Sequence, residues 1–196
     1  MVVLGIEVNM GLKKSIYKAI KMASISIVLA FAIIVFGSWL SVESLPKSVS
    51  KKVQSSLNEF WGVENLTLHN FSSLADTTKL ELEKNGVEGL FEISNNLKNM
   101  GYVVLAKSRS KFDYFNYAIY YDGNFQIKGV RILQYREDYG GEIANKRWLK
   151  QFEGKTANSP ITIDTDIQGI SGATISYRAI TKGVKDITIA INTLKK

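Results

Sequence analysis

Residues 114–135 read YFNYAIYYDGNFQIKGVRILQY, and this stretch decides the fold. Two runs rich in aromatic and β-branched residues, Tyr114–Tyr121 and Phe125–Tyr135, flank the turn sequence Asp122-Gly123-Asn124. This arrangement predicts a β-hairpin closed by a short turn. Both faces of the second run mix apolar and polar residues, so we expect the sheet to be covered over part of each side.

Upstream of the hairpin, Leu90–Ser94 and Tyr102–Lys107 have strand composition and flank a polar turn that ends at Gly101. Asn85-Gly86 predicts a further turn. Before these strands, residues 44–60 place apolar side chains at helical spacing, and Gly62 ends the predicted helix.

Downstream, Gly140-Gly141 breaks the chain and Glu142–Phe152 has an amphipathic helical pattern. Its predicted core positions are Ile143, Trp148, Leu149 and Phe152. Ile161–Asp164 is a candidate short strand, and Thr174–Leu194 predicts a terminal helix. The predicted core positions of that helix are Ile175, Ala179, Val184, Ile187 and Ile191. Together the patterns predict an α+β domain with a mainly antiparallel sheet and flanking helices, preceded by one N-terminal transmembrane helix.

The N-terminal region carries the membrane prediction. Met22–Val42 contains 21 residues without a charge, long enough to span about 30 Å as a helix. Four lysines precede it within nine residues, which places the N-terminus in the cytoplasm. We therefore expect a cytoplasmic basic segment, a single-pass anchor, a stalk helix and an extracytoplasmic domain, at residues 1–21, 22–42, 43–62 and 63–196. A cleaved signal peptide is the alternative for the same apolar run.

Composition excludes several classes of function. The chain has no Cys and one His, which argues against thiol redox chemistry and a His-based metal site. Seven of its lysines lie in residues 1–56 beside only two acidic residues, so much of the net charge of +7 flanks the apolar segment. Such a cluster favours membrane lipid over nucleic acid as its partner. We expect His69 to be a surface residue.

The chemistry concentrates in residues 166–176, DIQGISGATIS, where a loop of small residues runs into a helix N-terminus. The first-turn N–H groups of a helix lack internal partners, and the helix dipole is positive there. Gly172 and Ala173 would let an anion approach the backbone closely. The alternative is that Ser171 or Thr174 simply caps the helix.

Ser171-Gly172-Ala173-Thr174 followed by Ser176 resembles the flavinylation signature of the FMN-binding domain family. That family includes domains of the Rnf complex G subunit and of the C subunit of the sodium-pumping NADH:quinone oxidoreductase. Glu137-Asp138-Tyr139-Gly140 is similar to the family's Glu-Thr-Pro-Gly segment. With Tyr135-Arg136, Gly141 and the run around Trp148, the resemblance covers about residues 90–196 and is strongest to small membrane-anchored members.

The resemblance implies FMN joined to Thr174 through a phosphoester by a flavin transferase. It also implies a cofactor site formed by the motif and by the upstream glycine block. The other implied site residues are Ser171, Gly172, Ala173, Ser176, Tyr135, Arg136, Glu137, Gly140 and Gly141. Candidates for contact with the flavin ring are Tyr135, Tyr139, Trp148 and Tyr177.

Several of these residues have a second interpretation. Trp148 could be ordinary helix core, and Arg136 could form a salt bridge to Glu137 or Asp138. The chain also departs from the family pattern, which has Asp three residues before the motif serine. Gln168 stands there, and the nearest acid is Asp166. Asp164 and Asp166 could suggest a cation site, but loop capping by these side chains is the favoured interpretation.

We expect an electron-transfer flavoprotein of the inner or cytoplasmic membrane that exchanges electrons with membrane or extracytoplasmic redox partners. The cofactor would perform the redox chemistry, so no catalytic residue is required of the chain. One alternative is an FMN-dependent reductase with its own small acceptor, for which Arg136 and Glu142 are the candidate proton donors. Another is a non-redox module that binds an anion at the same loop.

Overall fold

Within residues 45–71, 74–96 and 98–195, which the computed structural model describes, five strands form one antiparallel sheet. They pair in the order in which they occur along the chain. Their bounds are β1 Thr67–Asn70, β2 Val87–Asn95, β3 Lys98–Arg109, β4 Tyr114–Tyr121 and β5 Ile127–Gln134.

The predicted hairpin is confirmed. β4 and β5 pair antiparallel, with Tyr121 opposite Ile127 at the closed end. The turn is held by the Asp122 carboxylate, which accepts hydrogen bonds from the backbone N–H groups of Asn124 at 2.8 Å and Gln126 at 2.9 Å. An Asp side chain that bonds the backbone ahead of it is a common way to fix a turn.

The predicted turn that ends at Gly101 is wrong. β3 begins at Lys98, so Gly101 lies inside the strand with φ +147°. A side chain there would overlap the backbone carbonyl of Tyr121 on the neighbouring strand. Glycine is required by this close approach and not by chain reversal.

Four helices accompany the sheet in the described part of the chain. Their bounds are α1 Lys47–Trp61, α2 Asp76–Lys84, α3 Lys146–Leu149 and α4 Thr174–Ile191. Among the described residues, no helix is both long and apolar enough to cross a membrane. The predicted anchor Met22–Val42 lies outside the described residues.

α1 covers one face of the sheet. Val53 and Leu57 are buried against a cluster that includes Phe91, Val103 and Tyr120. The helix ends as predicted at Gly62, which adopts the left-handed conformation and returns its N–H to the Asn58 carbonyl. The region predicted to be a stalk helix therefore packs on the sheet of the domain.

α4 covers the opposite face. Gly183 lies against the hydroxyl of Tyr117, and Thr188 forms a 2.9 Å hydrogen bond with the hydroxyl of Tyr121. Three predicted core residues of this helix, Val184, Ile187 and Ile191, are buried and Ala179 is half-buried. The prediction for Ile175 is wrong, because this residue lies on the first turn and is exposed.

The predicted helix Glu142–Phe152 is three short turns instead. A 3₁₀ turn spans Gly141–Ala144, α3 follows, and a second 3₁₀ turn spans Lys150–Phe152. The break occurs at Asn145, whose side chain accepts from the Arg147 N–H and so caps α3. The predicted core positions Ile143, Leu149 and Phe152 are nevertheless buried, and Trp148 is half-buried.

The predicted strand Ile161–Asp164 is also wrong. Ile163 and Ile167 form only an isolated parallel bridge within a tight turn. Backbone N–H groups of Asp166 and Ile167 both bond the Thr162 carbonyl, at 2.9 and 3.1 Å. These local bonds fold the segment back on itself and leave it no neighbouring strand.

Candidate functional site

The N-terminus of α4 is open. Ala173 occupies the cap position, and no side chain caps the helix. The first bond of the helix runs from the Tyr177 N–H to the Ala173 carbonyl at 2.9 Å. The N–H groups at 174–176 precede it and have no partner among the described residues. The alternative in which Ser171 or Thr174 caps the helix is therefore not what the structure contains.

Thr174 is the first residue of α4, and its side chain is exposed. In the described part of the chain, no group forms a hydrogen bond with its hydroxyl. Ser171 and Gly172 before it are also exposed, and a side chain at Gly172 would meet nothing within 4 Å. Gly172 has φ +84°, a conformation that favours glycine. The hydroxyl is thus accessible from solvent beside an open, small-residue loop.

Ser176, two residues later, is buried in a cluster of three hydroxyl groups. Its Oγ lies 2.6 Å from Ser110 Oγ and 2.9 Å from Tyr135 Oη, and the last two are 3.1 Å apart. The Tyr135 hydroxyl donates to the carbonyl of Tyr139 at 2.8 Å. This hydroxyl cluster joins the first turn of α4 to the end of β3 and to the loop after β5.

Gly140 brings the second predicted block against the first. Its φ is +84°, and a side chain there would come within 2.6 Å of the Tyr135 hydroxyl and 3.6 Å of the Ala173 Cα. Gly141 follows it, exposed, at the start of a 3₁₀ turn. The structure therefore places the glycine block and the Thr174 motif, which are about 30 residues apart in sequence, side by side.

Glu137 fixes the loop between β3 and β4. Its Oε1 accepts hydrogen bonds from the backbone N–H groups of Phe112 at 2.7 Å and Asp113 at 2.9 Å. The Asp113 N–H, followed by the Phe112 N–H, holds the pKa of the Glu137 carboxyl below its ordinary value. This contact keeps residues 110–113 close to the glycine block.

Arg136 connects the start of β4 to the end of β5. Its guanidinium donates to the Tyr114 carbonyl at 2.6 Å, the Asn116 Oδ1 at 2.8 Å and the Gln134 Oε1 at 2.7 Å. Among the described residues, Arg136 forms no salt bridge to Glu137 or Asp138, the pairing that the sequence left open as an alternative. These three hydrogen bonds occupy the guanidinium and hold the start of β4.

The loop before the motif is held through Gln168. Its carbonyl accepts from the Trp148 indole N–H at 2.7 Å, and its N–H donates to the Gln151 Oε1 at 2.8 Å. The Gln168 side chain stays exposed and borders a cleft of about 360 Å³. Asp166, the nearest acid, accepts from the Thr162 N–H at 3.0 Å, so it caps the loop as favoured.

The four predicted ring contacts occupy different environments. Tyr177 is buried, and the Tyr135 hydroxyl belongs to the hydroxyl cluster. Trp148 packs edge-on against Phe152, with ring centres 5.5 Å apart. Tyr139, by contrast, is exposed.

Sequence reasoning missed three residues at this end of α4. Ser110 and Phe112 lie between strands, and no periodic pattern marks them. Arg178 is exposed one helical turn after Thr174, and its ion pair with Asp164 is long, at 3.8 Å. Its spacing of four residues from Thr174 is a signal that could have identified it.

No group of His, Cys, Asp or Glu side chains within the described ranges could hold a metal ion. His69 is exposed as predicted, with its Nε2 3.1 Å from the Thr67 hydroxyl. The polar chemistry at the end of α4 consists of hydroxyls, backbone N–H groups and a guanidinium.

Residues 114–188 match the FMN-binding domain family. This region contains β4, β5, the glycine block, the Thr174 motif and most of α4. No curated protein matches the chain.

Two solved structures match the chain. NqrC from Shewanella oneidensis superposes with a TM-score of 0.52 at 15% identity, over 77% of this chain and 99% of that chain. The C subunit of the Na⁺-translocating NADH-quinone reductase from Parabacteroides distasonis gives a TM-score of 0.45 at 14% identity, over 75% and 84%. Both motif blocks lie inside residues 114–188, and this match supports the FMN-binding domain family for that part of the chain.

Proposed function

We propose that this chain carries FMN as a phosphoester on Thr174 and acts as a membrane-anchored electron-transfer flavoprotein. The observation that carries the proposal is the exposed Thr174 hydroxyl at the uncapped start of α4, inside the region that matches the family. A flavin transferase would form the ester. FMN, when bound, supplies the redox chemistry.

The residues present fit a phosphate at this position. Free N–H groups at 174–176 and the positive end of the helix dipole favour an anion, by about 0.3–1 kcal/mol where the site is exposed. Ser171, Gly172 and Ala173 leave the approach open, and Arg178 offers a cation one turn along the helix. No neighbouring side chain among the described residues competes for the Thr174 hydroxyl.

The remaining predicted site residues would position the site. Ser176 and Tyr135 join the helix end to the glycine block through the hydroxyl cluster. Gly140 and Gly141 allow that block to approach Ala173. Arg136 and Glu137 hold the two loop ends in place through backbone contacts.

The same contacts favour a carrier over a reductase. Arg136, one candidate proton donor, already donates three hydrogen bonds. Glu142, the other, is an exposed residue of a 3₁₀ turn. The chain would then exchange electrons with membrane or extracytoplasmic redox partners, held at the membrane by residues 22–42 with the domain on the extracytoplasmic side.

Intact-mass measurement of the full chain, expressed with and without a flavin transferase, tests the ester. We expect an increase of about 440 Da, the mass of FMN less one water, only when the transferase is present. Thr174→Val should abolish the increase, while the matched exposed control Thr165→Val should retain it. An unmodified wild-type chain, or an adduct that maps to another peptide, contradicts the proposal.

A second measurement separates carrier from reductase. The loaded protein should be reduced and reoxidised in single turnovers by several unrelated small reagents at comparable rates. Saturable steady-state turnover with one specific small acceptor would favour the reductase instead.

A further inference from the structure

Three large apolar side chains surround the start of α4 and face solvent. Tyr139 is 84% exposed, Phe112 is 75% exposed and Ile175 is 50% exposed. Each belongs to one of the segments that meet at the hydroxyl cluster. Surfaces of this kind, set among polar residues, commonly mark sites where another group binds.

The aromatic residues are displayed by a fixed backbone. The Phe112 N–H is bonded to Glu137, and Ser110, two residues earlier, contacts Ser176. The Tyr139 carbonyl accepts from Tyr135, and the adjacent Gly140 packs close to Ala173. Because these contacts hold both loop segments in place, the loops keep the rings of Phe112 and Tyr139 exposed.

We infer that Phe112 and Tyr139 form the seat of the isoalloxazine ring of the FMN on Thr174. This inference rests on the proposed function. The ring is flat, aromatic and largely apolar, so it gains from stacking or edge contact with exposed aromatic side chains. Its attachment to Thr174 confines it to the surfaces around this helix end.

Phe112 is not among the site residues that the sequence predicts, whereas Tyr139 is one of its four candidates for contact with the flavin ring. Phe112 precedes the matched region 114–188, and Tyr139 occupies the place of proline in the similar family segment. Ile175, next to Thr174, adds exposed apolar surface at the start of α4. Lys111 places its ammonium 4.9 Å from the centre of the Phe112 ring, so a cation lies beside the same surface.

The other aromatic candidates are already engaged. Tyr177 is buried, and Tyr135 uses its hydroxyl in the cluster. Trp148 holds the Gln168 carbonyl and packs on Phe152, although it borders the cleft described above. The competing location for the flavin ring is therefore the cleft beside Trp148.

Flavin fluorescence distinguishes these locations. The full chain, co-expressed with a flavin transferase, is compared with Phe112→Leu, Tyr139→Leu and Trp148→Leu, each checked for equal FMN content by intact mass. Iodide quenching, fluorescence lifetime and anisotropy then report how much of the ring is covered. Leu80→Ala, at an exposed apolar residue of α2, is the matched control.

We expect Phe112→Leu and Tyr139→Leu each to raise the iodide quenching constant about threefold, since each removes one aromatic contact. Only Tyr139→Leu should also lengthen the flavin lifetime, because tyrosine, unlike phenylalanine, can donate an electron to an excited flavin. Leu80→Ala and Trp148→Leu should leave both unchanged. A change in Trp148→Leu alone places the ring in the cleft and overturns the inference. Equal quenching in every loaded variant also overturns it, because the ring is then free or covered by a partner.

Failure of the proposed function gives a different result. A wild-type chain without covalent FMN removes both the ester and the ring seat. A loaded wild type in which the two aromatic variants behave like the control removes only the ring seat.

Discussion

The two helices that cover the sheet are built on different principles. α1 buries three of its residues and makes polar contacts with two strands: the Trp61 indole donates to the Met100 carbonyl of β3 at 3.0 Å, and Glu59 pairs with Arg131 of β5. α4 buries ten of its residues and packs Gly183 against the buried Tyr117 and Thr188 against the buried Tyr121. α1 is thus held by aromatic and charged side chains, whereas α4 is held by the close approach of its backbone to the sheet.

The difference explains why the candidate site lies on α4. A helix that is locked along its length presents its first turn at a fixed position, which a preorganised site requires. Gly183 and Thr188 lock α4, so its N-terminus needs no cap to stay in place. α1 has adjustable contacts and, in the described part of the molecule, presents no comparable group of hydroxyls and free N–H groups.

Raising the pH above 10 should cause the largest loss of stability, and most of that loss should come from tyrosines on the face that α4 covers. Burial raises the pKa of Tyr117 to about 12, and it also raises those of Tyr121 and Tyr120. An unfolded chain ionises these groups near pH 10, so their contribution, complete below pH 10, falls by about 4 kcal/mol by pH 11. Urea unfolding well below pH 10 and at pH 11 measures the loss.

Tyrosine variants divide that loss between the faces. Tyr117→Phe with Tyr121→Phe, on the α4 face, should remove about two thirds of the pH dependence, and Tyr120→Phe, on the α1 face, about one third. The hydroxyl of Tyr120 has no hydrogen-bond partner among the described residues, so Tyr120→Phe should cost nothing at neutral pH. Stability that is independent of pH above 10 would contradict this account.

Adding a side chain between helix and sheet should be worse under α4 than under α1. A side chain at Gly183 would overlap the hydroxyl of buried Tyr117, whereas one at Gly129 would overlap the ring of half-buried Phe60. Phe60 can move outward, so we expect Gly183→Val to cost about 3 kcal/mol and Gly129→Val about 1 kcal/mol. Chemical denaturation compares them, and equal losses would show that both helices are equally locked.

The ion pairs of α1 offer a smaller test. The Arg131 side chain is 10% exposed and the Glu59 side chain 42% exposed, so Glu59→Gln leaves a nearly buried cation without its partner. We expect a loss of about 2 kcal/mol, reduced from the fully buried case by the exposure of Glu59. Lys146→Met, which removes the exposed partner of the same carboxylate, should cost less than about 0.5 kcal/mol.

The pH dependence of the ion pair between Glu59 and Arg131 follows from the direction in which the pKa of Glu59 is shifted. Hydrogen bonds from Lys146 and Arg131 lower the pKa of Glu59 from its ordinary value near 4.5. The contribution is therefore complete above that value and is lost as the pH falls through the lowered pKa. A Glu59→Gln variant whose deficit stays constant into acid would contradict the assignment.

The smallest effect is expected at the end of α4. Tyr135→Phe removes the hydroxyl that joins Ser176 to the Tyr139 carbonyl and should cost about 1 kcal/mol. Its signature is local, with faster hydrogen exchange of the Ile143 amide, which bonds the Gly140 carbonyl. Tyr114→Phe, at an exposed tyrosine, should change neither quantity. Unchanged exchange in Tyr135→Phe would show that the cluster does not hold the loop.

Local pattern accounts for much of the fold. The bounds of β4 match the prediction, because side-chain composition and an Asp-Gly-Asn turn both act over a few residues. The predictions are wrong where a helix cap or a contact with another segment overrides the local sequence pattern. Asn145 interrupts an amphipathic pattern, Gly101 serves a neighbouring strand, and Ile175 lies on a turn that projects past the core.

The residues of the candidate site likewise divide into those that the sequence identifies and those that it does not. Thr174 and the glycine block were identified by resemblance, and the structure places them together. Ser110 contacts Ser176 across 66 residues of sequence, and Phe112 meets Glu137 across 25. Such contacts arise from the packing of strands β3 to β5 and leave no periodic trace in the chain.

The open first turn of α4 has a consequence for the abundance of the protein. The N–H groups at 174–176 find partners only outside the helix, so whatever binds there adds its binding free energy to the folded state alone. On the proposed function, chains that have received their cofactor are harder to unfold than chains that have not. Cellular proteases would then remove the unfinished molecules first, and the supply of flavin would set how much of the protein persists.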